Sequence, residues 1–360
     1  MRLDQAPRTR ARGGRARLAL SRDGGGTAGV DDMRLIAGGS GFLGIELARQ
    51  LSAEGTAVRV FDSVTNPWLP DGVDFVRGDV RDPAAVSRAC RGARIVYHLV
   101  GVVPQARVAP PEMRSVNVGG TRNVIDACVS SGVERLVFVS SSEIYGHLER
   151  VPCPESAIPA PIGEYGVNKV AAELLCREAM HRHGLAVSVL RPTTIVGQWN
   201  WDSAFATLFK QLDSDGFLPV PGRGEARWHV VHVEDAASAV ILAGDSGEAV
   251  GEAFNLASRG RVPTHLELAE AMKTHSGSVA RVVKVNTAVA TGVLRALCAV
   301  GLSPMEPDQF LVGFSDYVLD VGKARELLGW ESRYDSLGAF KASYDWYEER
   351  HDPRMCGAGR

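Results

Sequence analysis

An α/β fold, a doubly wound parallel sheet with a smaller C-terminal lobe, is predicted by three observations. Strand-like and helix-like segments alternate from Met33 to Pro192. The strand-like segments are near-continuous Val/Ile/Leu runs. A glycine-rich turn joins the first strand to the first helix. Alternation implies crossovers between parallel strands. Unbroken apolar runs are what burial on both faces of a sheet demands.

The elements follow in order. "RLIA" (34–37) reads as the first buried strand and "GFLGIELARQLSAEG" (41–55) as a helix closing at Gly55. "AVRVFD" and "VDFVRGD" are the second and third strands. "DPAAVSRACRG" is a helix with Asp82 as its cap and Pro83 at its first position. "RIVYHLVG" is the fourth strand, "NVGGTRNVIDACVSSG" a helix and "VERLVFVSS" the fifth strand. The long helix "EYGVNKVAAELLCREAMHRHG" precedes the strand "LAVSVLRP". Past Pro192 the rhythm changes. Residues 207–244 read as a helix, an extended stretch and a second helix, followed by the strand "AFNLAS" and the helix "THLELAEAMKTHSG". The apolar run 286–302 reads as a lid or interface helix. The division expected is 33–195 for the sheet domain and 196–350 for a substrate lobe, some of whose segments return to the sheet. Residues 1–32, rich in Arg and Gly, read as a disordered extension, and 351–360 as a tail.

Composition excludes several classes. Forty Lys and Arg against 42 Asp and Glu leave a net charge of −2, which gives no ground for nucleic-acid or anionic-membrane binding. No apolar run approaches the ~20 residues of a membrane span. Six scattered cysteines without a CxxC pair suit free thiols in a reducing, cytoplasmic setting. No histidine pattern has metal-ligand spacing, so no metal is expected.

Gly38, Gly41 and Gly44 form G-x-x-G-x-x-G between a strand and a helix. Such glycines permit a tight turn, a close approach to a pyrophosphate and close helix–strand packing, and the helix N-terminus favours phosphate charge. Asp62 ends the second strand about 20 residues on. A carboxylate there binds both hydroxyls of an adenine ribose and repels a 2′-phosphate, which favours NAD over NADP.

Tyr165 and Lys169 lie four residues apart on one helix face. A lysine cation beside a phenol is expected to lower its pKa from about 10. Such a tyrosine exchanges a proton with a substrate hydroxyl or carbonyl. Ser141, at the end of the preceding strand, is placed to hydrogen-bond the same oxygen.

With these residues in view, the chain resembles the extended short-chain dehydrogenase/reductase family, in its NAD-dependent nucleotide-sugar epimerase/dehydratase branch. The resemblance covers about residues 33–350. "AGGSGFLG", "GDVRD", "YHLVG", "NVGGTRNVIDAC", "SSSEIYG", "YGVNK", "LRPTTIVG", "GRGEARWHVVHVED" and "KARELLGW" carry it, in family order. It implies a Rossmann-type sheet, a bound nicotinamide cofactor and a homodimer joined through a helix pair that includes 165–183. It implies cofactor contacts from Gly38, Gly41, Phe42, Leu43, Gly44, Asp62, Asp79, Val80, Leu99, Val100, Gly101, Asn117, Ser140, Tyr165, Lys169 and Pro192. Catalysis would fall to Ser141, Tyr165, Lys169 and Glu143, and substrate contacts to Ser142, Thr194, Arg227 and Trp228.

The chain departs from the family pattern where the substrate is chosen. Ser142 stands where 4,6-dehydratases of the family carry Asp, so the run resembles the Thr-Ser-Glu of nucleotide-sugar decarboxylases. Glu143 then reads as an acid/base group or as a solvated, helix-capping carboxylate. Thr194 replaces a common Asn. Trp228 takes the place of the usual arginine, with Arg227 one position away. A guanidinium fits a diphosphate bidentately, but a one-residue slip on a strand turns the side chain to the other face. The leading expectation is a nucleotide-sugar enzyme working through a keto intermediate, most simply a 4-epimerase. The alternatives are a decarboxylase or dehydratase using Glu143, net redox on a keto-sugar or a hydrophobic ketone or alcohol, and a cofactor-binding scaffold without turnover.

Overall fold

The computed structural model describes residues 32–106, 108–199, 204–299 and 312–351. The extension, apart from its last residue, and nearly all of the tail lie outside these residues, as does the end of the apolar run 286–302.

Seven parallel strands form the central sheet. They are β1 (Met33–Ala37), β2 (Val58–Asp62), β3 (Asp74–Arg77), β4 (Ala93–His98), β5 (Arg135–Val139), β6 (Ala186–Pro192) and β10 (Ala253–Leu256), in the order β3-β2-β1-β4-β5-β6-β10. β10 comes from the second half of the chain and pairs in register with β6, Ala253 opposite Val189. The period-2 alternation of a strand divides the side chains between two cores. On one face Ile36, Val60, Tyr97 and Val139 pack with α1 (Phe42–Ala53) and α7 (Val233–Asp245). On the other, Leu35, Phe61, Val96 and Phe138 pack with α2 (Pro83–Cys90), α4 (Thr121–Ser131) and α5 (Glu164–His183).

Local chemistry sets the helix ends. Asp82 caps α2, its side chain accepting from the Ala84 amide, with Pro83 at the first helical position. α4 and α5 stop at Gly132 and Gly184, both in the left-handed conformation that glycine adopts without strain. One expectation needed revision. The helix read as starting at Asn117 is preceded by α3 (Pro110–Arg114) and a π-helical stretch, Ser115–Gly120, which contains Asn117.

The second lobe has its own core of Phe209, Leu218, Val230, Met272, Phe340 and Tyr344. It is built from α6 (Ala204–Asp213), α8 (His265–Ser276) and the C-terminal helix Ser336–His351, with two small parallel ladders. β7 (Thr194–Val196) pairs with β9 (Val230–His232), and β8 (Phe217–Pro221) with β11 (Arg281–Val285). α9 (Thr287–Ala299) follows β11, so the apolar run is helical from Thr287 to Ala299. In the central sheet, strand order reverses at β1, whose neighbours are β2 and β4. A crevice outside the carboxyl ends of the strands is expected at such a switch point.

Candidate active site

A cavity of about 1730 Å³ opens at these strand ends. It is lined by the glycine turn, by the ends of β4, β5 and β6, by the start of α5 and by the second lobe.

The glycine turn is shaped by contact. Gly38 has φ +85°, and a Cβ there would meet the Val100 amide nitrogen at 2.8 Å. A Cβ on Gly44 would meet Gly39 Cα at 2.5 Å and the Gly38 carbonyl oxygen at 2.6 Å. Any larger residue would push β1, α1 and the β4 end apart. Gly41 is the N-cap of α1 and no side chain caps that end. Gly38, Gly41, Phe42, Leu43 and Gly44 all line the cavity. The amides of this helix start favour a bound phosphate, electrostatically and by hydrogen bonding.

Asp62, the last residue of β2, is fastened to the turn. One of its carboxylate oxygens accepts from the Ser40 amide at 3.1 Å and the other from the Val64 amide at 3.4 Å. Asn66 donates to the Ser40 carbonyl at 3.1 Å and itself lines the cavity. Leu99, Gly101, Ser140 and Pro192 line it as well. The Ser140 hydroxyl is buried there without a protein partner, and such a group calls for one. The glycine cradle, the uncapped helix start and this hydroxyl fit a dinucleotide.

Four other predicted cofactor residues act at one remove. Asp79 forms an ion pair with Arg81 away from the cavity. Val80 is buried and its carbonyl accepts from Asn123 at 2.9 Å. Val100 presents its backbone to Gly38. Asn117 grips both the amide and the carbonyl of Val102, at 2.7 and 2.9 Å, and so holds the loop after β4.

Ser141, Glu143, Tyr165 and Lys169 meet at the cavity wall. Tyr165 and Lys169 sit one turn apart near the start of α5, both buried. The Ser141 hydroxyl hydrogen-bonds the Tyr165 phenol and accepts from the Glu143 amide at 3.1 Å. Lys169 Nζ donates to the Val139 carbonyl at 2.7 Å and lies 5.7 Å from the centre of the Tyr165 ring. The expected lowering of the tyrosine pKa is corrected here. Burial raises it, the Glu143 charge adds to the rise, and the Ser141 hydrogen bond opposes both. Burial also brings Lys169 down to about 8, so its charge is held less firmly than that of a surface lysine.

Glu143 has solvent-accessible surface, but that surface faces the cavity. Desolvation pushes its carboxyl up to about 7, against the opposing pull of Lys169. It stands on a single 3-10 turn, Ser142–Tyr145, pinned from two sides. The Tyr145 hydroxyl donates to Asn255 at 2.8 Å and accepts from Arg191 at 3.0 Å. The Tyr317 hydroxyl donates to the Ser142 carbonyl at 2.7 Å. The carboxyl therefore stands on a fixed turn at the cavity wall, with its pKa raised by desolvation.

The substrate residues separate. Thr194 and Trp228 line the cavity and are joined by a 3.1 Å hydrogen bond from the indole nitrogen to the threonine hydroxyl. Ser142 lines it too. Arg227 does not join them. Its guanidinium and its amide are both bound to Asp316, with the guanidinium Nε 3.0 Å from the carboxylate. Strand alternation gives consecutive residues opposite directions, and Trp228 takes the inward one. Sequence reasoning missed Leu208, Gln211, Phe217, Pro219, Val283, Val312 and Tyr317, all of which line the cavity. Only the apolar, proline-broken run "FLPVP" carried any signal, and it does not say which face turns inward.

Residues 34–257 match the model of the NAD dependent epimerase/dehydratase family. The uncharacterised protein y4nG of Sinorhizobium fredii is 33% identical over 326 residues, 90% of this chain and 81% of that protein. A dTDP-glucose 4,6-dehydratase of Streptomyces antibioticus is 27% identical over 332 residues, 88% of this chain and 92% of its own length. In fold, the chain is similar to a UDP-glucose 4-epimerase of Thermotoga maritima crystallised with UDP-glucose, with a TM-score of 0.75 and 24% identity over 88% of this chain and 99% of that one. The family match takes in the glycine turn, Asp62, Ser141, Tyr165 and Lys169 together, and the chain belongs to the NAD-dependent epimerase/dehydratase family.

Proposed function

We propose that this enzyme moves hydride between a secondary carbinol of its substrate and NAD, through a keto intermediate or product, with Tyr165 as the proton-transferring group. The observation that carries the reading is the meeting of Tyr165, Ser141 and Lys169 on one wall of the cavity that the glycine turn also lines. Gly38, Gly41 and Gly44 with the α1 start would hold the pyrophosphate, and Asp62 the adenine ribose. NAD supplies the hydride acceptor and, in its oxidised form, a positive charge. In its phenolate form Tyr165 takes the hydroxyl proton at its phenol oxygen and becomes the phenol, Ser141 orients the substrate oxygen, and Lys169 opposes the cost of phenolate in a buried site. Glu143, poised near neutrality, is placed to move a proton at a neighbouring substrate position.

For the substrate, full-length relatives support a nucleotide sugar, and internal redox then makes a 4-epimerase the simplest outcome. Net redox on a keto-sugar or a hydrophobic ketone or alcohol is the second reading. The apolar residues of the second lobe that line the cavity favour it. A homodimer through the α4–α5 face is supported by the exposure there of Val129, Val167 and Leu174. Light scattering in solution measures it, and a monomer would contradict it. The test of the reaction is the Tyr165→Phe variant: it should keep NAD binding and lose turnover. Undiminished turnover would refute the assignment.

A further inference from the structure

The cavity wall contributed by the second half of the chain carries no charged side chain among the described residues that line it. Leu208, Phe217, Pro219, Trp228, Val283 and Val312 form most of it. Phe217 and Pro219 alternate with the buried Leu218 and Val220 along β8, and Val283 joins them from the paired strand β11. Phe217 is 63% exposed and Val283 39%, so apolar surface stands open at this wall among the described residues.

The polar groups nearby are engaged elsewhere. The Trp228 indole donates to Thr194, the Tyr317 hydroxyl donates to the Ser142 carbonyl, and the Arg227 guanidinium is neutralised by Asp316. Thr207, Ser315 and Gln211 also line the cavity, all uncharged, and the Gln211 side-chain oxygen accepts from the Phe217 amide. A diphosphate placed here would lose water without gaining a cation from the described residues of this wall, a cost of several kcal/mol per charge. An apolar body would instead add its own buried area to that of the wall.

We infer that the part of the substrate beyond the reacting carbinol is uncharged and apolar, a fused-ring or isoprenoid-like alcohol or ketone, seated on Phe217, Pro219, Trp228 and Val283. This rests on the hydride-transfer reading and selects the hydrophobic substrate class over the nucleotide sugar. Trp228 is its specificity-determining residue: it supplies an apolar face where a guanidinium would serve a diphosphate.

The test is a binding titration of the full chain at saturating NAD, with N-phenyl-1-naphthylamine as an uncharged fluorescent probe, 2-decalol as competitor and UDP-glucose as the charged alternative. The probe should bind once per chain, be displaced by 2-decalol, and bind at least about tenfold more tightly than UDP-glucose. Trp228→Arg should weaken the probe roughly tenfold or more. Phe217→Ser, at an exposed position that folding tolerates, should weaken it severalfold. Tighter binding of UDP-glucose than of the probe would overturn the inference. So would a probe that 2-decalol fails to displace, or one that both variants bind like the wild type. None of these readouts needs turnover. Tyr165→Phe activity therefore judges the hydride-transfer reading separately, and failure of one leaves the other standing.

Discussion

Gly44→Ala probes the packing from which the cofactor cradle is built. The new Cβ would lie 2.5 Å from Gly39 Cα and 2.6 Å from the Gly38 carbonyl oxygen, whereas ordinary contact begins at 3.4 Å. Both neighbours are backbone, so no side chain can rotate away. The start of α1 must move by about 0.9 Å, or the turn must. Overpacking of this kind costs about 1–3 kcal/mol. It also carries the helix N-terminus away from the place where a pyrophosphate would lie, so NAD binding should weaken by roughly tenfold or more. Denaturant unfolding gives the first quantity and calorimetric titration with NAD the second. Gly247→Ala is the control: a Cβ there meets nothing within 4 Å, and both quantities should stay at wild-type values. If Gly44→Ala matches the control in both assays, the close approach of α1 to the turn is not what forms the cradle.

Other outcomes follow from the same geometry. Asp62→Ala removes a carboxylate that also ties down the Ser40 amide, so NAD affinity should fall and the preference for NAD over NADP should narrow; competition titration measures both, and an unchanged ratio would show that Asp62 does not select the ribose. Glu143 has a folded-state pKa of about 7 against an ordinary 4.5. The folded chain therefore holds that proton more tightly than the unfolded one. Its stabilising contribution is complete below about pH 4.5 and is lost as pH rises towards 7. In Glu143→Gln the fall in stability across that window should flatten, as read by denaturation at stepped pH; an identical slope would mean the carboxyl is ordinarily solvated. Asn117→Ala leaves the Val102 amide and carbonyl without their partner. It should destabilise by about 1–3 kcal/mol and raise KM for the cofactor more than it lowers kcat; an effect on kcat alone would place Asn117 in the chemistry instead.

What could be read from the sequence had a local cause. The sheet strands are unbroken apolar runs, the glycine turn and Asp62 sit at fixed spacing, and Tyr165 and Lys169 share a helix face, so each was visible within one window of residues. What could not be read depends on distant pairings. The outward turn of Arg227 is fixed by Asp316, 89 residues away. The sequence allowed for the reversal of face but could not choose which residue took the cavity. β8 meets β11 across about 60 intervening residues, and only that pairing makes Phe217, Pro219 and Val283 one surface. The tyrosine pKa was misjudged because the Tyr–Lys spacing is visible in the sequence, whereas the burial and the Glu143 charge that raise it are properties of the assembled fold.

The central claim is a cavity that takes NAD at the glycine turn and Asp62 and brings it to Tyr165. Calorimetric titration of the purified chain with NAD and with NADP tests it most directly. Saturable binding of NAD, at least about tenfold tighter than NADP, is the expected result. Absence of NAD binding, or tighter binding of NADP, would contradict it.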